Sequence, residues 1–415
     1  MNVLDLFAGA GGLSEGFRQE GFNIISHVEM DLNASFTLKT RESYYYLKRN
    51  NNMNIYMDYL LKRINRDTLY QHIPENVLNR VINSEISDET ISDIFNKIDE
   101  VKGENRQIDI IIGGPPCQAY SVAGRSRDPE RMENDPRNYL YRQYIKFLVR
   151  YSPKVFVFEN VLGILSAKKG EIFADIKKCM DEAGYIMEYR ILNAQSFGVL
   201  QSRKRVIIIG WRKSLSFEYP NFDEVINHLT IRDLFEDLPE LSSGESIEPG
   251  DTYRSSPNFY LQENSIREYE WNILTQHNAR SNRLNDLEIY NYCVDVWNRE
   301  GRKVRYNELP DRLKTHKNTD TFLDRFNVIP YNGISHTVVA HIAKDGHYYI
   351  HPDINQNRSI TVREAARIQT FPDDYYFESS RTAAFKQIGN AVPPLMARKI
   401  AKGISTILKI ENDAK

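Results

Sequence analysis

A single thiol, Cys117, stands in Gly113-Gly114-Pro115-Pro116-Cys117-Gln118, directly after the apolar run Ile108-Asp109-Ile110-Ile111-Ile112. The run reads as a buried strand. Two glycines and two prolines then force a rigid turn that holds the thiol at the strand's carboxyl mouth. That edge is where ligands and chemistry gather in open α/β sheets. A cysteine serving as a small core hydrophobe would sit inside the apolar run, so the platform points to a nucleophile. Three more polar sets lie against apolar runs. Glu159 ends Val155-Phe-Val-Phe-Glu159-Asn160. Gln201-Ser-Arg203-Lys-Arg205 leads into Val206-Ile-Ile-Ile-Gly210. Gln387-Ile-Gly389-Asn390-Ala391-Val392-Pro393-Pro394 precedes the last helical stretch. If these runs share one parallel sheet, thiol, carboxylate and arginines converge at one edge.

The elements that position these groups begin at the N-terminus. Val3 to Phe7 reads as a short buried strand, Ala8-Gly9-Ala10-Gly11-Gly12 as a turn, and Leu13 to Glu20 as a helix ended by Gly21. A second strand from Asn23 to Val28 closes on Glu29-Met30-Asp31. This is the opening β-α-β of a nucleotide-binding sheet, in which an acid at the second strand's end can hold ribose hydroxyls. The dinucleotide fingerprint G-x-G-x-x-G needs a glycine at position 14, where this chain has Ser14. A ligand with adenosine but no phosphates suits the turn better than a dinucleotide, and S-adenosylmethionine is the obvious candidate. Ser14 and the Pro-Pro-Cys turn both oppose a nicotinamide oxidoreductase.

Six ordered motifs resemble the DNA (cytosine-5) methyltransferase family. They are Asp5-Leu-Phe-Ala-Gly-x-Gly-Gly, Gly114-Pro-Pro-Cys-Gln, Glu159-Asn-Val, Gln201-x-Arg-x-Arg, Arg363-Glu-Ala-Ala-Arg-Ile-Gln-x-Phe-Pro372 and Gly389-Asn-Ala-Val-Pro-Pro394. They cover most of residues 1–212 and 336–400. The implied fold is a Rossmann-like, S-adenosylmethionine-dependent methyltransferase sheet, α/β and mostly parallel, with a smaller target-recognition domain. The implied division is 1–212 plus 355–415 for the catalytic domain and 213–354 for DNA recognition, with the last helix returning to the cofactor site and carrying Asn390.

The implied chemistry explains the residue types. Carbon 5 of cytosine is a poor nucleophile. A thiolate from Cys117 adding to carbon 6 makes an enamine whose carbon 5 can attack a sulfonium methyl. Glu159, protonated, would donate to N3. Arg205 would bind the ring carbonyl oxygen, and Arg203 would orient Glu159 or a phosphate. The resemblance assigns the cofactor to Phe7, Ala8, Gly9, Gly11, Gly12, Leu13, Glu29, Met30, Pro115, Leu140, Asn390 and Ala391. Glu85, in Ser84-Glu85-Ile86, is the best match for an acid on the adenine amino group. The DNA contacts expected are Gln118, Ser121, Arg125, Arg137 and Gln201, because the stacked base must be flipped out of the duplex.

Composition bounds the rest. The 415 residues carry a net charge of −2, so a nucleic-acid partner would be met by local patches. Residues 299–317 hold seven Lys/Arg against three Asp/Glu, a candidate phosphate patch. Tyr253-Arg-Ser-Ser and the polar stretch from Thr275 to Arg283 have the side-chain types that read base edges. Residues 33–102 read as a polar, helix-rich insertion on the sheet's flank. Three cysteines without a C-x-x-C pair argue against a disulfide framework and a zinc site, and no metal is expected. No signal peptide and no 18-residue apolar run is seen. The expectation is a monomeric, cytoplasmic enzyme of bacterial or phage origin, in restriction–modification beside a separate endonuclease. A transfer-RNA cytosine-5 methyltransferase and a catalytically inactive DNA-binding protein remain open alternatives.

Overall fold

The computed structural model describes residues 1–115, 139–225, 228–250, 253–315 and 318–413. Seven strands form one sheet: β1 (Asn2–Leu6), β2 (Asn23–Glu29), β3 (Val81–Asn83), β4 (Ile110–Gly113), β5 (Val155–Asn160), β6 (Tyr185–Asn193) and β7 (Lys204–Arg212). Their order is β3-β2-β1-β4-β5-β7-β6. β1 to β5 run parallel, and β7 is antiparallel to both of its neighbours. The expected mostly parallel α/β sheet is therefore present.

Central strands covered on both faces need near-continuous apolar runs, which Ile110–Ile112, Val155–Phe158 and Val206–Ile209 supply at 1% exposure or less. Their period of two divides the sheet's faces. Val3, Ile110, Ile112, Val157 and Ile207 face helices α1 (Gly12–Gln19) and, later in the chain, Pro394–Asp413. Leu4, Leu6, Ile111, Phe156 and Ile208 face the helices Ile91–Lys102, Leu140–Tyr151 and Glu171–Glu182.

In chain order these helices follow α2 (Leu32–Arg49) and α3 (Met53–Leu60), and are α4 (Ile91–Lys102), α5 (Leu140–Tyr151) and α6 (Glu171–Glu182). Beyond them lie α7 (Leu284–Glu300), α8 (Val362–Ile368), α9 (Arg381–Asn390) and α10 (Pro394–Asp413). Asn390 thus ends α9, not the final helix, and α10 runs along α1.

The hydrophobic cores do not follow the expected boundary between 213–354 and 355–415. One core joins Tyr44, Leu47 and Tyr56 of α2 and α3 to Ile231, Leu234, Tyr260 and Leu274, and to Ile329, Ile360, Ile368 and Phe385. A smaller core is built from Ile289, Tyr290 and Val294 of α7 with Tyr306, Leu313, Phe326 and Ile350. Residues 284–328 thus form, with Ile350, a separate cluster among the described residues. Residues 33–102 are likewise more than an insertion, because they supply edge strand β3 and helix α4.

β1 and β2 are tied by a buried ion cluster. His27 bonds Asp5 Oδ2 (3.0 Å) and Glu42 Oε1 (3.3 Å), and Glu42 also pairs with Arg18 and Arg80. Burial alone would lower the His27 pKa, but the bonds to Asp5 and Glu42 outweigh it and leave it above the ordinary 6.5. Burial opposes charge on Glu42 too, yet Arg18 and His27 draw its pKa down to about 2. A raised histidine stabilises the fold fully below pH 6.5, and that contribution fades as pH rises through the folded value. His27→Gln should therefore cost about 3 kcal/mol at pH 6 and clearly less at pH 9. Urea unfolding at both pH values checks this, and an equal loss at the two would reject it.

Candidate active site

β1 has β2 on one side and β4 on the other, so the connections leave in opposite directions and a crevice opens at their carboxyl ends. The glycine turn lines one wall. Glu29, at the end of β2 and 9% exposed, accepts from the Gly9 amide through Oε2 and from the Asp31 amide through Oε1, each at 2.7 Å. Burial pushes its pKa up, against the pull of these two amides. The carboxylate is thereby aimed, and each oxygen keeps a lone pair for a ligand hydroxyl. A Cβ on Gly9 would meet nothing within 4 Å, so the front of the turn is open. Behind it, a Cβ on Gly12 would lie 2.2 Å from the Val392 carbonyl. Only glycine lets the segment after α9 reach the turn. An acceptor-only carboxylate beside an open glycine cradle fits the ribose end of an adenosine ligand.

The other wall carries the acid and an arginine. Glu159 ends β5, and Arg205 stands at the start of β7. Arg205 Nε lies 2.9 Å from Glu159 Oε1, with both side chains mostly buried. A parallel β7 would carry Arg205 to the opposite edge. Its reversal, pairing Glu159 with Ile207 and Asn160 with Val206, brings the two together. Arg205 Nη1 also donates to the Lys204 carbonyl (2.8 Å), leaving the Nη2 edge unengaged among the described residues. Gly114 lies directly against Glu159, where a Cβ would sit 2.5 Å from its carbonyl oxygen and 2.9 Å from Oε2. Asn160 Nδ2 donates to the Pro115 carbonyl (3.4 Å) and so anchors the turn that precedes Cys117.

Two expected contacts prove to be buried supports. Gln201 is fully buried; its Nε2 donates to Gln369 Oε1 (2.8 Å), and its Oε1 accepts from the Val338 amide (2.9 Å). It therefore presents nothing to DNA. Arg203 is also fully buried, and its guanidinium donates to the carbonyls of Val338 (2.7 Å), Ala391 (2.8 Å) and Gly389 (3.3 Å). No phosphate can reach it, and Arg205 rather than Arg203 holds Glu159. Burial pushes the Arg203 pKa well below an arginine's ordinary range. Its Nε has no partner among the described residues, at a cost of about 1–3 kcal/mol.

The remaining expected residues divide. Phe7 and Ala8 are half-buried beside the crevice, Gly11, Gly12 and Leu13 are buried in the turn, and Met30 is exposed at its rim. Leu140 is half-buried at the start of α5, and Pro115 is buried. Asn390 is exposed at the end of α9, next to buried Ala391. Glu85 is exposed just after β3, on the same carboxyl edge as Glu29. Cys117, Gln118, Ser121, Arg125 and Arg137 lie outside the described residues. Among the proposed base readers, Tyr253, Thr275 and His277 are buried, and Tyr253 donates to Asp373 (2.9 Å), whereas Arg254, Asn278 and Arg283 are exposed. Arg280 donates to the Lys344 carbonyl. Among the described residues no group of three His, Cys, Asp or Glu could hold a metal ion, and no helix is long and apolar enough to cross a membrane.

Sequence reasoning missed Tyr375, whose hydroxyl donates to the Ala10 carbonyl inside the glycine turn. It also missed Gln369, which donates to the Ile388 (2.6 Å) and Ala391 (3.2 Å) carbonyls. The signal available was the aromatic stretch from Phe371 to Phe377, denser in rings than a surface loop needs.

A family model described as C-5 cytosine-specific DNA methylase matches residues 1–74 and 75–406. The type II methyltransferase M.Bpa9945I of Bacillus paralicheniformis is 43% identical, the match covering 98% of this chain and 99% of that protein. The type II methyltransferase M.AgeI of Thalassovita gelatinovora is 30% identical, covering 98% and 100%. A solved structure from E. coli, described as a prophage-encoded DNA modification methyltransferase, superposes with a TM-score of 0.63 over 99% of both chains at 24% identity, a likeness of fold.

The cradle can be tested by binding alone. In Glu29→Gln an amide NH2 would face one of the two backbone N–H donors. Affinity for S-adenosylhomocysteine should fall tenfold or more, a loss of about 1–3 kcal/mol. Titration calorimetry reads this, and unchanged affinity would remove Glu29 from the site.

Proposed function

The chain belongs to the C-5 cytosine-specific DNA methylase family, and from that premise we propose a specific reaction. It transfers a methyl group from S-adenosylmethionine to carbon 5 of a flipped-out cytosine in a short duplex DNA sequence, through a covalent adduct on Cys117. The observation that carries this reading is the shared edge. The Arg205–Glu159 pair and the glycine turn with Glu29 flank the Gly-Gly-Pro segment two residues before Cys117. S-adenosylmethionine, when bound, supplies an electrophilic methyl on its sulfonium. The residues to hold it are Phe7, the turn from Ala8 to Leu13, Glu29, Met30, Leu140 and Asn390, with Glu85 for the adenine amino group.

The protein's own groups do the rest. The Cys117 thiolate adds to carbon 6, and the ring's electron pair moves toward N3 and carbon 5. Arg205 keeps Nε on Glu159 and turns its free Nη2 edge to the ring oxygen. Glu159 donates a proton to N3 and so relieves the charge that addition creates. Carbon 5 takes the methyl with release of S-adenosylhomocysteine, a base then removes the carbon 5 proton, the thiolate leaves, and N3 returns its proton to Glu159. Gln118, Ser121, Arg125 and Arg137 are assigned to the DNA strand around the extruded base, whose unstacking costs a few kcal/mol. The basic residues at 299–317 would add a sequence-independent phosphate term. The small core around α7 is the proposed recognition element.

The type II names of the similar proteins support a role in restriction–modification, protecting host sites against a separate endonuclease. We further propose that the enzyme acts as a cytoplasmic monomer.

Bisulfite sequencing of plasmid DNA from cells expressing the protein should find a protected cytosine at one short motif. Cys117→Ala should abolish that protection and still bind S-adenosylhomocysteine, while Glu159→Gln should slow transfer about 100-fold or more. A duplex carrying 5-fluorocytosine at the target should trap a denaturation-stable adduct, since fluorine cannot leave as a proton does. Turnover by Cys117→Ala would overturn the nucleophile. Unprotected DNA from soluble, well-expressed protein would redirect the search to transfer RNA.

A further inference from the structure

The run Leu200 to Lys204 touches three parts of the molecule at once. The Ser202 amide donates to the Ser335 carbonyl (2.8 Å) and the Ser335 amide to the Leu200 carbonyl (2.9 Å), a short bridge beside β7. Thr337 Oγ1 donates to the Ser202 carbonyl (2.7 Å). Residues 335–340 thus form a strap between the run that enters β7 and the end of α9. The strap passes so close to α9 that a Cβ on Gly389 would lie 2.3 Å from the Ala340 nitrogen.

Arg203 lies at the junction. Its guanidinium holds the strap through Val338 and the end of α9 through Gly389 and Ala391. No carboxylate bonds it directly among the described residues. The carbonyls at the C-terminus of α9 supply the negative end of a helix dipole instead. Gln369 caps the same helix end, and Gln201 links Gln369 to Val338. Two residues along the chain stands Arg205, on Glu159.

We infer that Arg203 is a positioning residue rather than a catalytic one. It sets the register of three pieces: the cofactor-side segment 389–391, the strap 335–338 that leads back from the recognition core, and the start of β7 that aims Arg205. Because one planar cation holds all three, the alignment of cofactor and base depends on a side chain that touches neither. The consequence for methyl transfer rests on the function proposed above.

Arg203→Lys keeps the charge but lacks the planar fork that reaches several carbonyls at once. Hydrogen–deuterium exchange of the full chain should rise at both 336–340 and 389–392, with β1 and β4 still protected. The KM for S-adenosylmethionine should rise and kcat fall, each about tenfold or more, while the Kd for duplex DNA stays unchanged. Unchanged exchange at either segment would overturn the inference. So would a lost kcat with wild-type cofactor affinity, because that pattern marks a group touching the base. If Arg203→Lys loses protection globally, Gln369→Leu decides, since it cuts the same helix-end contacts from the other side. Loosening confined to 389–392 and the strap supports the inference, and unchanged exchange there rejects it. A wild-type protein that binds S-adenosylhomocysteine without methylating DNA fails the functional reading and leaves the exchange test standing.

Discussion

The site depends on one strand running backwards. In a parallel sheet every strand's last residue reaches the same edge, and that alone brings the glycine turn, Glu29, Pro115 and Glu159 together. Arg205 stands at the start of its strand, one residue after Lys204, not at its end. The seven steps from Arg205 to Arg212, at about 3.3 Å each, would put it roughly 23 Å away if β7 were parallel. The β6–β7 hairpin removes that distance. It also settles the geometry of the pair, because Glu159 pairs with Ile207 in the β5–β7 ladder and Arg205 lies one residue before Val206, the partner of Asn160. The ion pair is thus fixed by the sheet and does not have to be found by two mobile side chains.

A second constraint follows from bringing so many charges to one place. Charges near a dry interior must be paired or bonded, and the described residues meet this with buried clusters, among them these three. Asp5, His27 and Glu42 tie β1 to β2 under the glycine turn. Arg41 pairs with Glu15 of α1 and with Asp374, and stacks over the rings of Tyr44, Tyr45 and Tyr375. Arg367 joins Asp237 to Asp373 in the second core. Buried pairs of this kind contribute little net stability, and losing one partner is costly. Their value here is directional. The Arg41 cluster joins α1 to Asp374 beside the second core, whereas the Arg367 cluster braces that core from within.

Much of this could be read from residues alone. The apolar runs, the glycine turn and the acid at the end of β2 each follow from local rules, and all three are where those rules put them. What escaped was non-local. The stretch from Thr275 to Arg283 is polar and rich in hydrogen-bonding types, and so is a groove-reading loop. Burial separates the two, and burial is decided by partners such as Thr361 for His277 and Asp373 for Tyr253, which lie far along the chain. The core shared across the expected boundary has the same origin. Residues 229–274 and 329–391 are separated by α7 and its small core, yet they share one interior.

Arg203 and Arg205 show why a motif does not by itself divide chemistry from architecture. Their spacing of two suggests neighbours on one face of a strand, with one shared role. The strand begins only at Lys204, however, and Arg203 sits before it, where its backbone bonds Asn193 and Ala194 instead of continuing the period. A guanidinium needs donors satisfied wherever it goes. At the crevice it finds a carboxylate and keeps an open edge for a ligand. Two residues earlier it finds three carbonyls of its own chain and closes on them. The first arrangement can act on a substrate, and the second can only hold the protein in shape. Which arrangement a residue adopts is set by the far ends of the chain, residues 338 and 389–391, and no reading of positions 201–205 alone contains them.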